Sequence, residues 1–191
     1  SATLGLQDVL EKQDEFAPVT TPYIDFGLGR FRVWLRTSVV NSTPDQGTWR
    51  LDLGRQYIEE IEVFLHRQGR VPEKILSHDL TQIYSQREVS NRFLVVDFAL
   101  ETGETADIYV EYRSTATTFL PMKVGLPDAV AMRYERDSII NAFLNGTLLA
   151  MMLIALVMRP VLGWRLSISF ALYMLAGAAY VGHADGYTFQ Y

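Results

Sequence analysis

No cysteine occurs in this chain of 191 residues. That absence removes disulfide bridges, thiolate metal sites and cysteine nucleophiles together, and leaves the redox compartment open. Histidine is scarce too: His66, His78 and His183 are the three present, they fall on different segments, and no two stand at a spacing that suits a shared metal. Neither a metal site nor a cofactor is expected. An excess of basic charge is also missing, since 17 Lys and Arg face 22 Asp and Glu for a formal charge of −5. A nucleic-acid surface calls for the opposite sign. The glycines of "DFGLGRF" have neither the length nor the lysine-serine end of a phosphate loop. Nothing in the sequence pairs two carboxylates for glycoside hydrolysis. No catalytic residue is therefore assigned, and the chain is read as a non-enzyme. The opening "SATLGLQDVLEKQDEF" lacks the basic flank and apolar run of a secretory signal, so an outer location for this half implies a leader already removed.

What the chain does have is apolar sequence, and it is concentrated. The averages of 49% hydrophobic and 20% charged residues describe neither half, because nearly all the charge precedes Asp137 and nearly all the uninterrupted apolar sequence follows it. Ile139 to Met158 reads "IINAFLNGTLLAMMLIALVM", matching the roughly 20 residues that cross a hydrocarbon core as a helix. Arg159 and Pro160 end it. A second run from Leu166 to Val181 is extended by Val161, Leu162 and Trp164 while Arg165 snorkels. This gives spans at about 139–158 and 162–181 joined by a very short turn. A soluble helix would show a polar stripe, and Leu148 to Met158 is apolar all round. The turn "RPVLGWR" carries Arg159 and Arg165 with no acid, which places it in the cytoplasm and residues 1 to about 137 outside. Asn141, Asn145, Gly146, Thr147 and the small residues Ala176 to Ala179 suit helix packing. A transport path would show an ionisable residue at mid-membrane, and neither span has one. The chain stops at "DGYTFQY", which suggests that the hairpin begins a longer bundle.

The polar half alternates with period 2. "RFRVWLRTSVVN" puts Phe31, Val33 and Leu35 on one face and Arg30, Arg32, Trp34 and Arg36 on the other. "TWRLDL", "EEIEVFLHRQGR" with a turn at Gln68-Gly69, "RFLVVDFAL" and "ADIYVEYRS" repeat the pattern. Shorter strands are expected near Tyr23 to Phe26, Ile75 to Asp79 and Thr118 to Val124. About eight antiparallel strands without intervening helices imply an all-β jelly-roll sandwich followed by a transmembrane α-helical hairpin. The expected domains are a sandwich at 1–127, with 1–22 an irregular lead-in, and a juxtamembrane helix plus two spans at 128–191.

If the sandwich binds a ligand, the polar face of the first long strand is the best candidate. An aromatic ring between guanidinium groups, Trp34 between Arg32 and Arg36, stacks on a flat ligand while the arginines hold hydroxyls or carboxylates. Arg113, sharing a face with Tyr109 and Glu111, and His66 join the set by strand parity. The alternative is that Trp34 packs in the core or under a loop, with the arginines in surface ion pairs.

The succession "VWLRTSVVN", "TWRLDL", "IEEIEVFLHRQGR", "FLVVDFALETGETADIYVEYRST", "LPMKV" and then a helical hairpin resembles the bacterial seven-transmembrane receptors with diverse intracellular signalling modules, the 7TMR-DISM family. Arg30 to Val124 resembles the second extracellular domain type of that family, and Ile139 to Tyr191 its first two membrane helices. The marks are Trp34-Leu35-Arg36 followed by Asn41, the strand ending His66-Arg67-Gln68-Gly69-Arg70, and the closing Asp185-Gly186. The resemblance implies a bacterial inner-membrane receptor with a periplasmic jelly roll similar to carbohydrate-binding modules. It also implies a seven-helix transmitter and a cytoplasmic output, such as a diguanylate cyclase or histidine kinase, that this chain does not contain. The expected function is to bind a small molecule, with a carbohydrate among the candidates, and to relay the event to that output. The alternative is a protein–protein interaction or homodimerisation module that recognises a periplasmic protein partner.

Overall fold

The computed structural model describes residues 4–19, 31–44, 47–55, 59–79, 93–114, 120 and 122–184. The chain divides into two compact units, residues 1–126 and 127–191.

In the first unit the alternating segments become strands β1 (Phe31–Val40), β2 (Gly47–Arg55), β3 (Glu60–Arg67), β4 (Glu73–Asp79), β5 (Phe93–Leu100), β6 (Thr105–Ser114) and β7 (Lys123–Gly125). They form a four-stranded sheet in the order β1-β6-β3-β4 and a three-stranded sheet in the order β5-β2-β7. Among the described residues every pairing is antiparallel, and the chain changes sheet repeatedly, as in a jelly roll. The strand expected near Tyr23 to Phe26 lies outside the described residues, as does the Asp185-Gly186 mark. Of the one expected from Thr118 to Val124, residues 118, 119 and 121 lie outside the described residues, and the described part includes a strand at Lys123–Gly125. Gln68-Gly69 makes the hairpin turn between β3 and β4, Gly69 taking φ 74° and Arg70 N–H bonding Arg67 C=O at 3.0 Å. "ETGET" instead carries the chain from one sheet to the other. Gly103 sits at φ 76°, and its N–H bonds the Asn41 carbonyl at 2.8 Å. Turn chemistry alone does not distinguish these two cases, since both need only a residue that tolerates positive φ.

Period 2 puts one face of each strand into a common core. Leu51 and Leu53 of β2 and Leu94, Phe98 and Leu100 of β5 meet Ile61, Val63, Leu65, Ile108, Val110 and Tyr112 of β3 and β6. Val33, Leu35 and Val39 of β1 pack against that core, so the inward face of β1 is the one its sequence indicates. Asn41, fully buried, holds the edge of the sandwich. Its Nδ2 donates to Leu100 C=O at 3.1 Å and its Oδ1 accepts from Thr43 N–H at 3.0 Å.

The lead-in expected to be irregular contains a helix, α1 (Leu6–Glu11), and a single 3₁₀ turn at Gln13–Glu15. Asp8 caps it by accepting the Gly5 N–H at 2.9 Å. Leu6, Val9 and Leu10, three and four residues apart, make a short apolar stripe. That stripe packs with Phe16, Trp34, Phe64 and Tyr109 in a second, smaller cluster, which is what makes so short a helix persist.

In the second unit α2 (Pro127–Val157) is continuous, a helical turn α3 (Arg159–Leu162) follows, and α4 (Trp164–Ala184) packs back against α2. Both long helices are apolar and long enough to cross a membrane. The seam between them is made of small groups: Ala155, Ser167 and Ala171 are buried, and Leu148 lies against Gly177. Gly146 and Thr147, expected to suit helix packing, lie outside the α2–α4 seam. Gly146 faces open space, and Thr147 bonds the Phe143 carbonyl of its own helix at 2.9 Å.

Candidate functional site

Strand parity sends Arg32, Trp34 and Arg36 of β1 to the outward face of the four-stranded sheet, beside Tyr109, Glu111 and Arg113 of β6 and Glu60, Phe64 and His66 of β3. The register arranges them in rows. Arg36 stands opposite Tyr109, Tyr109 opposite Phe64, and Phe64 opposite Lys74. A second row runs through Arg32, Arg113 and Glu60. All five residues singled out in the sequence therefore share one face, where they gather in two groups.

The first group surrounds the N-terminal segment. Trp34 stacks on Phe64 with ring centroids 6.0 Å apart and planes 26° apart, and its Nε1 donates to Leu4 C=O at 3.3 Å. It is thus half-buried under the N-terminal segment, outside the sandwich core. A cleft of about 890 Å³ runs between that segment and β1, lined by Lys12, Glu15 and Phe16 and by residues from both faces of the strand, Trp34, Arg36 and Ser38 with Val33 and Leu35. This volume lies within the range of small-molecule sites. Arg36 reaches across the strand pair to Asp107, Nη2 to Oδ2 2.8 Å, and its guanidinium lies 5.8 Å from the Tyr109 ring centre. Burial works to lower the pKa of Arg36, but the hydrogen bond and charge of Asp107 outweigh it, so the cation is held firmly. Ser38 also donates to Asp107. Tyr109 is fully buried, and burial raises its pKa. His66 lies beside it, ring centroids 6.3 Å apart.

The second group frames a smaller polar hollow of about 250 Å³ that includes Arg32, Arg113, Glu60, Glu111 and His78. Arg32 and Arg113 face each other across the ladder, an unfavourable pairing of like charge. Glu60 relieves it by bonding Arg113 and lying 3.8 Å from Arg32. Arg32 also meets Glu111 at 2.9 Å. Burial nevertheless pushes the Glu111 pKa up, against the pull of Arg32.

Among the described residues, Arg32, Arg36 and Arg113 on this face are thus each already paired to a carboxylate. Such a pair offers hydrogen-bond donors and acceptors together with little net charge, an arrangement matched to hydroxyls more than to an anion. Among the described residues, no three His, Asp or Glu side chains are placed to hold a metal ion. The sequence did not single out Tyr109, Phe64, Lys12 or Asp107. The first two carried a signal nonetheless, as large aromatics at outward positions of their strands.

A β-sandwich followed by two helices long enough to span a bilayer is the architecture of a domain carried on a membrane hairpin. The receptor class follows from the sandwich's own sequence. Residues 1–125 match the family described as 7TMR-DISM extracellular 2, and the chain belongs to that family. Among curated proteins none matches the chain.

Proposed function

We propose that the outer domain senses a small, neutral, hydroxyl-rich molecule with a flat apolar face, a saccharide being the best fit, and that the molecule binds in the cleft at Trp34 and Arg36. The observation that carries this reading is the cleft itself. It runs along β1, where Trp34 and Arg36 in its lining belong to a sheet face that gathers aromatic rings and neutralised Arg–carboxylate pairs, the two features that recognise a sugar ring and its hydroxyls. Arg32, Arg113 and His66 lie further along the same face and extend the site for a longer ligand.

Binding is relayed through β7 into α2. β7 is paired to β2, and Leu126 alone separates it from α2. The ligand shifts the receptor by binding one of two states more tightly than the other. The output lies in the cytoplasm, beyond this chain. The receptor sits in the bacterial inner membrane with residues 1 to about 137 on the outer side, an orientation supported by Arg159 in α3 and Arg165 at the start of α4, which lie at one end of the hairpin.

The test is thermal unfolding of the full chain in detergent against mono- and oligosaccharides, organic acids and amino acids. A ligand at 100 times its Kd adds about 2.7 kcal/mol. Arg36→Ala and Trp34→Ala abolish the shift if the cleft is the site. A flat response across the panel removes the small-molecule reading and favours a protein partner or a second copy of the chain.

A further inference from the structure

We infer that the N-terminal segment from Leu4 to Phe16 is a displaceable cover, and that the ligand reaches the buried hydroxyl of Tyr109 by lifting it. This rests on the cleft being the point of entry, as proposed above.

Three rings lie beneath the cover. Trp34 is stacked on Phe64, and Tyr109 adjoins Phe64 in the same row. The row ends in cations, Arg36 5.8 Å from the Tyr109 ring centre and Lys74 5.5 Å from that of Phe64. The sandwich core is closed on the opposite side of the sheet by residues of β2 and β5, so these rings contribute little to holding the two sheets together. They form an aromatic platform facing outward, flanked by charged groups. That is a surface for a flat ring with a hydroxyl rim.

The cover is lightly attached. α1 has six residues, too few to hold a helix unaided. Within it Val9 alone is buried, assisted by partly buried Leu6, Leu10 and Phe16. The bond from Trp34 Nε1 to Leu4 C=O is long for a hydrogen bond at 3.3 Å. On its far side Asp8 and Glu11 are exposed to solvent.

Tyr109 supplies the independent sign that something other than the cover belongs here. It has no exposed surface, yet its hydroxyl has no hydrogen-bond partner. An unmet buried hydroxyl opposes the closed arrangement. Phenylalanine would fill the same space without that cost, whereas a hydroxylated ligand under the lifted cover would satisfy it.

The experiment uses the full chain in detergent with maltohexaose, cellohexaose, xylohexaose and chitohexaose as probes. At saturation with a binding probe, the amides of Leu6 to Glu11 exchange with deuterium at least tenfold faster than in the free chain, while those of β6 keep their protection. Val9→Asp, which loosens the cover, tightens probe binding about tenfold. Tyr109→Phe weakens it at least fivefold without lowering the melting temperature of the free chain. If a probe binds but slows exchange in α1, and Tyr109→Phe binds it as the native chain does, the cover is a fixed wall. The cleft reading then stands without this inference. If no probe binds the native chain or Val9→Asp, both fall. Binding by Val9→Asp alone supports a cover that dominates the free state.

Discussion

The two units of this chain use the same apolar side chains in opposite directions. In the sandwich Leu51, Val63 and Ile108 have no exposed surface, whereas in the hairpin Phe143 is 74% exposed and Val157 76%. Water surrounds the first unit, so alternation sends apolar groups inward and polar groups outward. In the second, small residues form the seam and large ones face away from it. That order suits hydrocarbon, where apolar surface gains nothing by hiding and close helix approach supplies the packing. Hydrophobicity thus encodes a core in one unit and a contact with the surrounding medium in the other.

A charge placed at equivalent apolar positions gives the largest test of this contrast. Val110→Asp puts an unpaired carboxylate between β1 and β3, costing about 4 kcal/mol or more, and thermal or urea unfolding of the sandwich should all but disappear. Leu153→Asp, on the outward side of α2, leaves that unfolding within about 0.5 kcal/mol. It costs about 2.5–3.5 kcal/mol in membrane insertion, read as a fall in the inserted fraction. Unfolding of the sandwich by Leu153→Asp, or full insertion in spite of it, breaks the comparison.

Polar groups sharpen it. Asn41→Ala strips the partners of Leu100 C=O and Thr43 N–H from a buried site. The expected loss is about 2 kcal/mol of sandwich stability, read from denaturant unfolding. Thr147→Val in the hairpin removes a hydroxyl that bonds only its own helix and shifts helix association by less than about 0.5 kcal/mol.

The smallest effect is in pH. Hydrogen bonding from Arg50 at 2.6 and 2.7 Å holds the Asp97 carboxyl below its usual range, partial burial opposing and the charge of Arg50 assisting. A depressed carboxyl contributes stability that is present above the unfolded pKa and is lost as pH falls through the depressed value. Arg50→Gln should therefore lower the melting temperature at neutral pH, by an amount worth at most about 1 kcal/mol for so exposed a pair. The gap to the native chain closes on acidification below the ordinary aspartate range. The hairpin contains no Asp or Glu from Ser138 to Ala184, so its helicity should stay flat over the same titration.

Much of this architecture can be read in advance, for reasons particular to each element. Strands β1, β3, β5 and β6 announce themselves because one face is buried and period 2 has no other use. The spans do so because only a helix satisfies its backbone across so long an apolar stretch. α1 is hidden because three apolar residues in a charged hexapeptide make no sustained period. The ion pairs are hidden for a different reason. Arg36 meets Asp107 and Arg32 meets Glu111 on diagonals of the β1–β6 ladder, and a diagonal exists only once the register is set. Trp34 illustrates the boundary. Its outward direction follows from Val33 and Leu35, but its cover comes from residues about thirty positions earlier that nothing local foretells.

The lone Leu126 between β7 and α2 has a consequence for recombination. A helix turns about 100° per residue, so one residue added or removed at that joint would change the face that α2 presents at every position below it. Two would nearly reverse it. Under the proposed relay, outer domains exchanged between receptors of this kind would have to match residue count at the joint as well as fold. An insertion series there should give a response that oscillates with the helical repeat, where a flexible linker would give one that fades with length.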